Sequence, residues 1–320
     1  MSWSYEVYGL QLESSRPIPH LSACVEARLP DLRVDLDNCS SELDMVIYAA
    51  ERLLYQSADS DVSLWESGSE QDLILRYSDG VSFTFARTGG RLKARWPSAV
   101  AIEDVLAYLL GPILGFILYW RGAACLHASG IVIDGEVVAL LGDQGAGKST
   151  TAAAFGRLGY PILTDDIFVV TSGDRTLMIE PGYPGVRLWP SSVSVLFGGP
   201  DALAPMTPTW DKRYLDLRAP GYSFQTTEAP LGAIYVLDER KAGLAAPHIE
   251  AIPKQRALLM LLGNSYAPRY FRRDTRAAEF AVFGRIAASV PVRRVNPLSD
   301  STQVFALCQA IVEDYRSVPA

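Results

Sequence analysis

Cysteine is scarce in this 320-residue chain: there are four, Cys24, Cys39, Cys125 and Cys308, scattered and never in a C-x-x-C spacing. That excludes a thiolate zinc site and a disulfide framework, and leaves reduced thiols of the kind found in the cytosol. Basic charge is also in short supply. Against 36 Asp and Glu there are 29 Lys and Arg, a net charge of −7, so no field favours nucleic acid or an anionic membrane, and neither is an expected partner. The opening residues, Met1-Ser2-Trp3-Ser4-Tyr5-Glu6, lack the basic and apolar regions of a signal peptide, so a cytoplasmic location is expected. Long apolar runs are missing too, with one near exception. Val105 to Trp120 is uncharged, but it falls short of the roughly 18 residues that raise a membrane span, and Gly111-Pro112 interrupts it. It reads as a buried, kinked helix.

What is present is an ordinary globular composition, 49% hydrophobic and 20% charged, enough for two modest domains. A small β-rich module is expected over residues 1–98 and an α/β domain over 99–320. In the first, Leu73 to Tyr77, Val81 to Arg87 and Arg91 to Trp96 are short runs separated by Ser78-Asp79-Gly80 and Thr88-Gly89-Gly90, the pattern of a β-meander. Asp44 to Tyr55 carries apolar residues at helical spacing.

The most informative stretch is Gly142-Asp143-Gln144-Gly145-Ala146-Gly147-Lys148-Ser149, which fits the phosphate-loop pattern G-x-x-x-x-G-K-[ST]. The run Glu136 to Leu141 before it supplies a strand, and Thr150 to Leu158 after it reads as a helix whose positive end faces an anion. The glycines allow backbone N–H groups to approach phosphate oxygens, Lys148 adds a point charge, and Ser149 offers a hydroxyl to Mg²⁺. ATP and Mg²⁺ are the expected ligands, held by residues 142–150.

Around this loop the chain reads as strands Leu126 to Ile133, Pro161 to Thr164, Phe168 to Val170, Leu177 to Ile179, Leu231 to Leu237 and Val292 to Val295. Helices are expected at Lys254 to Leu262, Arg276 to Ser289 and Ser301 to Tyr315, with a mobile loop from Gly198 to Trp210. Asp165-Asp166 closes a strand soon after the loop, where phosphoryl transfer needs one carboxylate for the metal and one for the acceptor proton. Glu180 is a further metal candidate. His127 lies on the strand whose hairpin partner enters the loop. Lys212 and Arg213, after the Pro-rich loop, could close over the triphosphate as an arginine finger does, with Arg187 a further cation of that kind. Tyr183, Trp189 and Trp210 are candidates for a peptide-docking surface.

Leu126-His127-Ala128-Ser129-Gly130, the loop Gly142 to Ser149 and Leu163-Thr164-Asp165-Asp166, in that order, resemble the catalytic domain of HPr kinase/phosphorylase. The resemblance covers about residues 120–185. It implies a P-loop kinase core of the type shared with the nucleotide-dependent PEP carboxykinases, in which Asp165 is the general base toward a serine hydroxyl, Asp166 helps Ser149 hold the metal, and His127 assists. The family's glycine-rich signature is matched loosely by Glu180 to Trp189. The better overall likeness is to the HPr-kinase-like proteins of lasso-peptide maturation systems, carried by Pro181 to Pro184, Leu188 to Pro190 and Lys212 to Leu215. That subgroup implies ATP-dependent phosphorylation of a precursor peptide on its C-terminal serine. A small-molecule kinase and a non-catalytic nucleotide-sensing component of a maturation complex are the alternatives. Self-association into a homo-oligomer is not fixed by sequence.

Overall fold

The structure is a computed structural model that describes residues 2–24, 28–39, 51–68, 72–87, 89–173, 176–266 and 273–317. It is a mixed α/β chain with several sheets, dividing into two compact units.

The first unit comprises the described residues up to 121 together with 207–210. Its sheet has eight strands: β1 (Trp3–Val7), β2 (Leu10–Ser14), β3 (Leu32–Cys39), β4 (Glu51–Gln56), β5 (Val62–Ser67), β6 (Leu73–Tyr77), β7 (Ser82–Phe85) and β8 (Arg91–Pro97). They lie in the order β1-β2-β3-β8-β7-β6-β5-β4. The expected meander is β6 to β8, set within a wider sheet. Alternation explains why it is a half-buried sheet: in β8 Leu92, Ala94 and Trp96 are buried while Lys93 and Arg95 point away. On parallel β3 the outward Asp37 pairs with both cations, at 3.4 Å from Lys93 and 3.9 Å from Arg95.

The apolar run is one kinked helix, α1 (Ile102–Tyr108) continuing through a π turn into α2 (Leu114–Trp120), with Gly111 out of helical geometry just before Pro112. It is long and apolar enough to cross a membrane by composition, but most of it is buried against the sheet. Phe116 and Trp120 meet Phe85 edge-on at 5.9 and 6.3 Å, and Tyr108 stacks on Tyr77 at 3.9 Å. These contacts assign the helix to the first unit, so the boundary falls after Arg121 and not at 98. The helix expected over 44–55 is also corrected in part: 51–56 is strand β4, and 44–50 lie outside the described residues.

The second unit carries β9 (Ala124–Leu126), β10 (Ser129–Ile133), β11 (Glu136–Leu141), α3 (Lys148–Arg157), β12 (Ile162–Thr164), β13 (Phe168–Ser172), β14 (Leu177–Ile179), β15 (Gly185–Leu188), α4 (Pro190–Phe197), β16 (Arg213–Asp216), β17 (Ala229–Leu237), β18 (His248–Ala251), α5 (Lys254–Gly263), α6 (Arg273–Ser289), β19 (Val292–Asn296) and α7 (Val304–Ser317). Strand β11 is apolar on both faces because both are covered. Val138 and Leu140 pack with Ala152 to Phe155 of α3 and Ile311 of α7, whereas Val137, Ala139 and Leu141 belong to the cluster holding Phe283 and Ile286 of α6.

The main sheet runs β12-β10-β11-β17-β14-β13-β9, with β19 parallel to β17 and β18 alongside β19. Its path has a consequence for the site. Strands β12 and β9 are its two ends, yet residues 165–167 alone connect β12 to β13, and 127–128 alone connect β9 to β10. Two or three intervening residues let strand ends stand at most about 14 Å apart, so the sheet must curl until its ends come together. The expected single strand from Leu126 to Ile133 is therefore two. Leu126 pairs with Phe168 of β13, while Gly130 pairs with Thr164 of β12 and Ala139 of β11. The apolar pattern runs on across the break, so periodicity gives no sign of it.

Candidate active site

The seam of the curled sheet holds His127 on one side and Asp165-Asp166 on the other. His127 is fixed by its N–H, which donates to Asn264 O at 2.9 Å, and its ring lies 5.9 Å from that of Tyr266. Opposite it, Asp166 takes a left-handed φ of 75°, while Ile167 N donates to Asp165 O at 3.0 Å and Thr164 Oγ1 to Ile167 O at 2.6 Å. This tight turn sends the two neighbouring carboxylates to different partners.

Asp165 points inward and is 3% exposed. Its Oδ1 accepts from Ser129 Oγ at 2.6 Å and Ser149 Oγ at 3.0 Å, and its Oδ2 from Arg187 N at 3.4 Å. Burial pushes its pKa above the ordinary carboxylate value, and the Asp166 charge adds to that, although the serine hydroxyls and the Arg187 amide oppose it. Asp166 Oδ1 instead lies 3.2 Å from His127 Nε2. Desolvation lowers the His127 pKa against the opposing pull of Asp166, so the ring is held toward its neutral form.

The loop between β11 and α3 has the geometry its glycines allow. Gly142, Gly145 and Gly147 take φ of 144°, 85° and 99°, which side chains disfavour. At Gly142 a Cβ would stand 2.6 Å from Leu237 O, so the close approach of β17 itself demands glycine. Lys148 is 7% exposed and donates to Gly142 O at 2.7 Å and Asp143 O at 3.1 Å, and burial lowers its pKa.

These groups share one cavity of about 340 Å³, lined on the loop side by Gln144, Gly145, Gly147, Lys148, Ser149 and Thr150, and on the seam side by His127, Asp165 and Asp166. The remaining wall is Arg187, Leu188, Trp189, Ser191, Ser192 and Lys212. Apart from Lys212, which precedes β16, that wall comes from β15 and the start of α4, which Pro190 at its first position begins, and Thr150 Oγ1 bonds Ser192 Oγ at 2.7 Å to tie α4 to α3. Neither β15 nor α4 is foreseen from the sequence, although Trp189-Pro190 before a Ser-Val run is a helix-start signal.

Of the other loop residues expected to bind nucleotide, Asp143 and Ala146 line a neighbouring cavity instead, and Gly142 serves the turn. Lys212 lines the main cavity, its Nζ 5.2 Å from the ring of half-exposed Trp189. Arg213, expected beside it as a second catalytic cation, does not: the two alternate along an extended segment, and Arg213 donates to Asp201 Oδ1 at 2.9 Å and Asp211 O at 2.8 Å. Glu180 follows β14, its N–H donating to Val169 O, and is not among the residues that line the cavity. Tyr183 is buried under Arg187, and Trp210 stands against Tyr108 in the first unit, which leaves Trp189 as the member of that trio lining the cavity. Ser129, which opens β10, is the site residue to which the sequence alone gives no role.

An oxygen-only set formed by Ser149 Oγ and the adjacent Asp165 carboxylate suits Mg²⁺, which takes one or two protein oxygens and completes its shell with phosphate and water. Among the described residues no group of three or more His, Cys, Asp or Glu could hold a metal without such help.

The chain matches no protein-family model and no curated protein. Among solved structures it is similar to the Hpr(Ser) kinase/phosphatase from Coxiella burnetii, at 14% identity and a TM-score of 0.32, over 60% of this chain and 95% of that one.

Proposed function

We infer that this chain is an ATP-dependent kinase that transfers the γ-phosphate to a hydroxyl group. One observation carries the reading: a phosphate loop with Lys148 and Ser149 opens into the same cavity as two carboxylates with separate partners. Loop N–H groups and Lys148 would hold the phosphates, Lys148 exchanging its bonds to the loop carbonyls for phosphate oxygens. Ser149 and Asp165 would hold Mg²⁺, which supplies charge neutralisation at the phosphates when bound. Asp166, backed by neutral His127, would accept the proton of the attacking hydroxyl as ADP leaves.

This exchanges the roles that the family resemblance assigns to the two aspartates. The support is positional: Asp165 is buried against Ser149, whereas Asp166 keeps a quarter of its side chain open beside His127.

For the acceptor we infer a serine hydroxyl on a peptide or small protein, and more narrowly the C-terminal serine of a lasso-peptide precursor. This part rests on the sequence elements at Pro181 to Pro184, Leu188 to Pro190 and Lys212 to Leu215. Leu188, Trp189 and Lys212, from two of those elements, line the cavity with Asp166, which supports an acceptor role for them. Transfer of label from γ-labelled ATP to a serine-terminated precursor peptide tests the reading. Lys148→Ala is expected to lose nucleotide binding and transfer together, and Asp166→Asn to keep binding while losing transfer. Undiminished transfer in Asp166→Asn overturns the assigned acceptor base.

A further inference from the structure

On the other side of the phosphate loop lies a second cavity, of about 370 Å³, walled by Asp143 to Ala146 of the loop and by Leu237 to Arg240 at the end of β17. Gln144 and Gly145 line both cavities, so the two spaces meet over the crest of the loop. We propose that this second cavity holds the nucleoside half of the nucleotide, with Glu239 accepting hydrogen bonds from ribose hydroxyls and Arg240 engaging the phosphate nearest the ribose. The proposal rests on the nucleotide reading of the loop and deepens it.

Topology gives the direction. Strand β11 has β10 on one side and β17 on the other, and the reactive residues His127, Asp165 and Asp166 all arrive from the β10 side, at the ends of β9 and β12. A triphosphate whose terminal phosphate faces Asp166 has its other end directed toward β17. There β11, β17 and β19 are mutually parallel and end together, Leu141 pairing with Val236 and Leu237 with Val295. The crevice beyond the carboxyl ends of parallel strands is where α/β sheets take their ligands.

Chemistry gives the roles. The segment after β17 is held rigidly: Asp238 N donates to Val295 O, buried Asn296 Nδ2 donates to Glu239 O at 3.2 Å, and Lys241 N donates to Pro297 O. Asp238 is occupied, taking the Glu239 amide at 2.8 Å and pairing with Arg294 at 3.3 Å, whereas the Glu239 side chain is exposed at the cavity. A carboxylate is the group that best accepts from a vicinal diol. Arg240 donates from Nη1 to Leu298 O at 3.1 Å, and its Nη2 lies 3.8 Å from where a Cβ on Gly147 would stand, so the guanidinium borders the loop.

Calorimetric titration of the full chain with ATP and with inorganic tripolyphosphate, both with Mg²⁺, separates the two halves of the ligand. The unsubstituted chain is expected to bind ATP more tightly than tripolyphosphate. Glu239→Ala is expected to weaken ATP by about tenfold and to leave tripolyphosphate unchanged, which also reports that the variant is folded. Arg240→Ala is expected to weaken both ligands. If Glu239→Ala weakens neither ligand, or weakens both equally, the nucleoside is not held there and the proposal is overturned while the kinase reading stands. If the unsubstituted chain binds neither ligand, both readings fall.

Discussion

Ser129 Oγ donates a 2.6 Å hydrogen bond to Asp165 Oδ1 from a position 1% exposed and outside the cavity wall. The serine touches no ligand space, so it acts through the carboxylate. It fixes the rotamer in which Asp165 also meets Ser149.

Removing that hydroxyl should therefore misplace Asp165 without altering the loop. A hydrogen bond to a charged group contributes about 1.5–3 kcal/mol, so Ser129→Ala is expected to lower kcat by about ten- to a hundredfold. KM for ATP should move little, and Ser129→Thr should recover part of the rate. Steady-state kinetics on the three proteins decide it: a change confined to KM would assign the serine to binding instead.

The His127–Asp166 pair predicts a particular acid limb. Burial lowers the histidine pKa below the ordinary 6.5, more than Asp166 raises it. With Asp166 as the proposed acceptor base, the neutral ring would be the working form, because a protonated ring would lock Asp166 in an ion pair. Transfer rate is expected to stay level from neutral pH down through 6.5 and to fall only below it. Stability follows the same sign: the unfolded chain takes the proton first as pH drops through 6.5, so folding weakens from there down to the lower folded value and then levels. His127→Asn should remove the kinetic limb and lower the plateau by about ten- to a hundredfold. An unchanged limb in that variant would falsify the pairing as the titrating element.

What the sequence carried legibly was local. The loop, its strand and its helix follow from glycine positions and apolar period, and β14, β17, β19, α5 and α6 lie within a few residues of their expected bounds. The break at His127-Ala128 was hidden because Leu126, Ala128 and Ile131 are all buried, so the run looks like one strand whichever partner each half takes. The turn between β1 and β2 was hidden for another reason: Tyr8 and Gly9 take φ of 55° and 73°, and tyrosine is not a residue that marks such a turn. The separation of Lys212 from Arg213, and of Glu180 from the cavity, depends on strand phase and pairing that spacing does not encode.

Gly142 offers a test of the loop's frame apart from its chemistry. A Cβ there would meet the backbone of Leu237 at 2.6 Å, on a residue with φ of 144°. Neither the carbonyl nor the loop can yield without shifting β17. Gly142→Ala is expected to destabilise the fold by about 2 kcal/mol or more, whereas Gly159→Ala, where nothing lies within 4 Å of the added carbon, should show only the cost of its φ, about 1 kcal/mol. Denaturant melts of both variants give the comparison, and equal losses would remove the steric argument.

Asp165 predicts an inverse relation between stability and activity. Its pKa is raised by burial, so the folded state prefers the neutral carboxyl, and ionisation at neutral pH opposes folding. A group with a raised folded pKa contributes fully below its unfolded value and loses that contribution as pH rises through the folded one. Asp165→Asn, which cannot ionise, should melt at or above the temperature of the unsubstituted chain at pH near 7. The advantage should shrink as pH falls toward the ordinary carboxylate value of 3.8. Transfer should be lost throughout. Thermal melts across that range check the sign, and a melting difference that instead moves in the variant's favour as pH falls would show that the three hydrogen bonds outweigh desolvation.

Lys212 and Arg213 are neighbours with opposite expected outcomes. Lys212 lines the cavity with its ammonium near the Trp189 ring, and under the proposed transfer it would meet phosphate charge as it moves toward the acceptor. Arg213 is committed to the Asp211 carbonyl and to Asp201, whose side chain is 84% exposed, a pairing that contributes at most about 1 kcal/mol to stability. Lys212→Ala is therefore expected to lower kcat by about a hundredfold or more, with Trp189→Ala producing a smaller loss through the misplaced ammonium. Arg213→Ala should leave kcat within about threefold and shift the melting temperature by a few degrees at most. If Arg213→Ala is the more damaging of the two, the arginine must leave Asp201 and swing into the cavity when nucleotide binds.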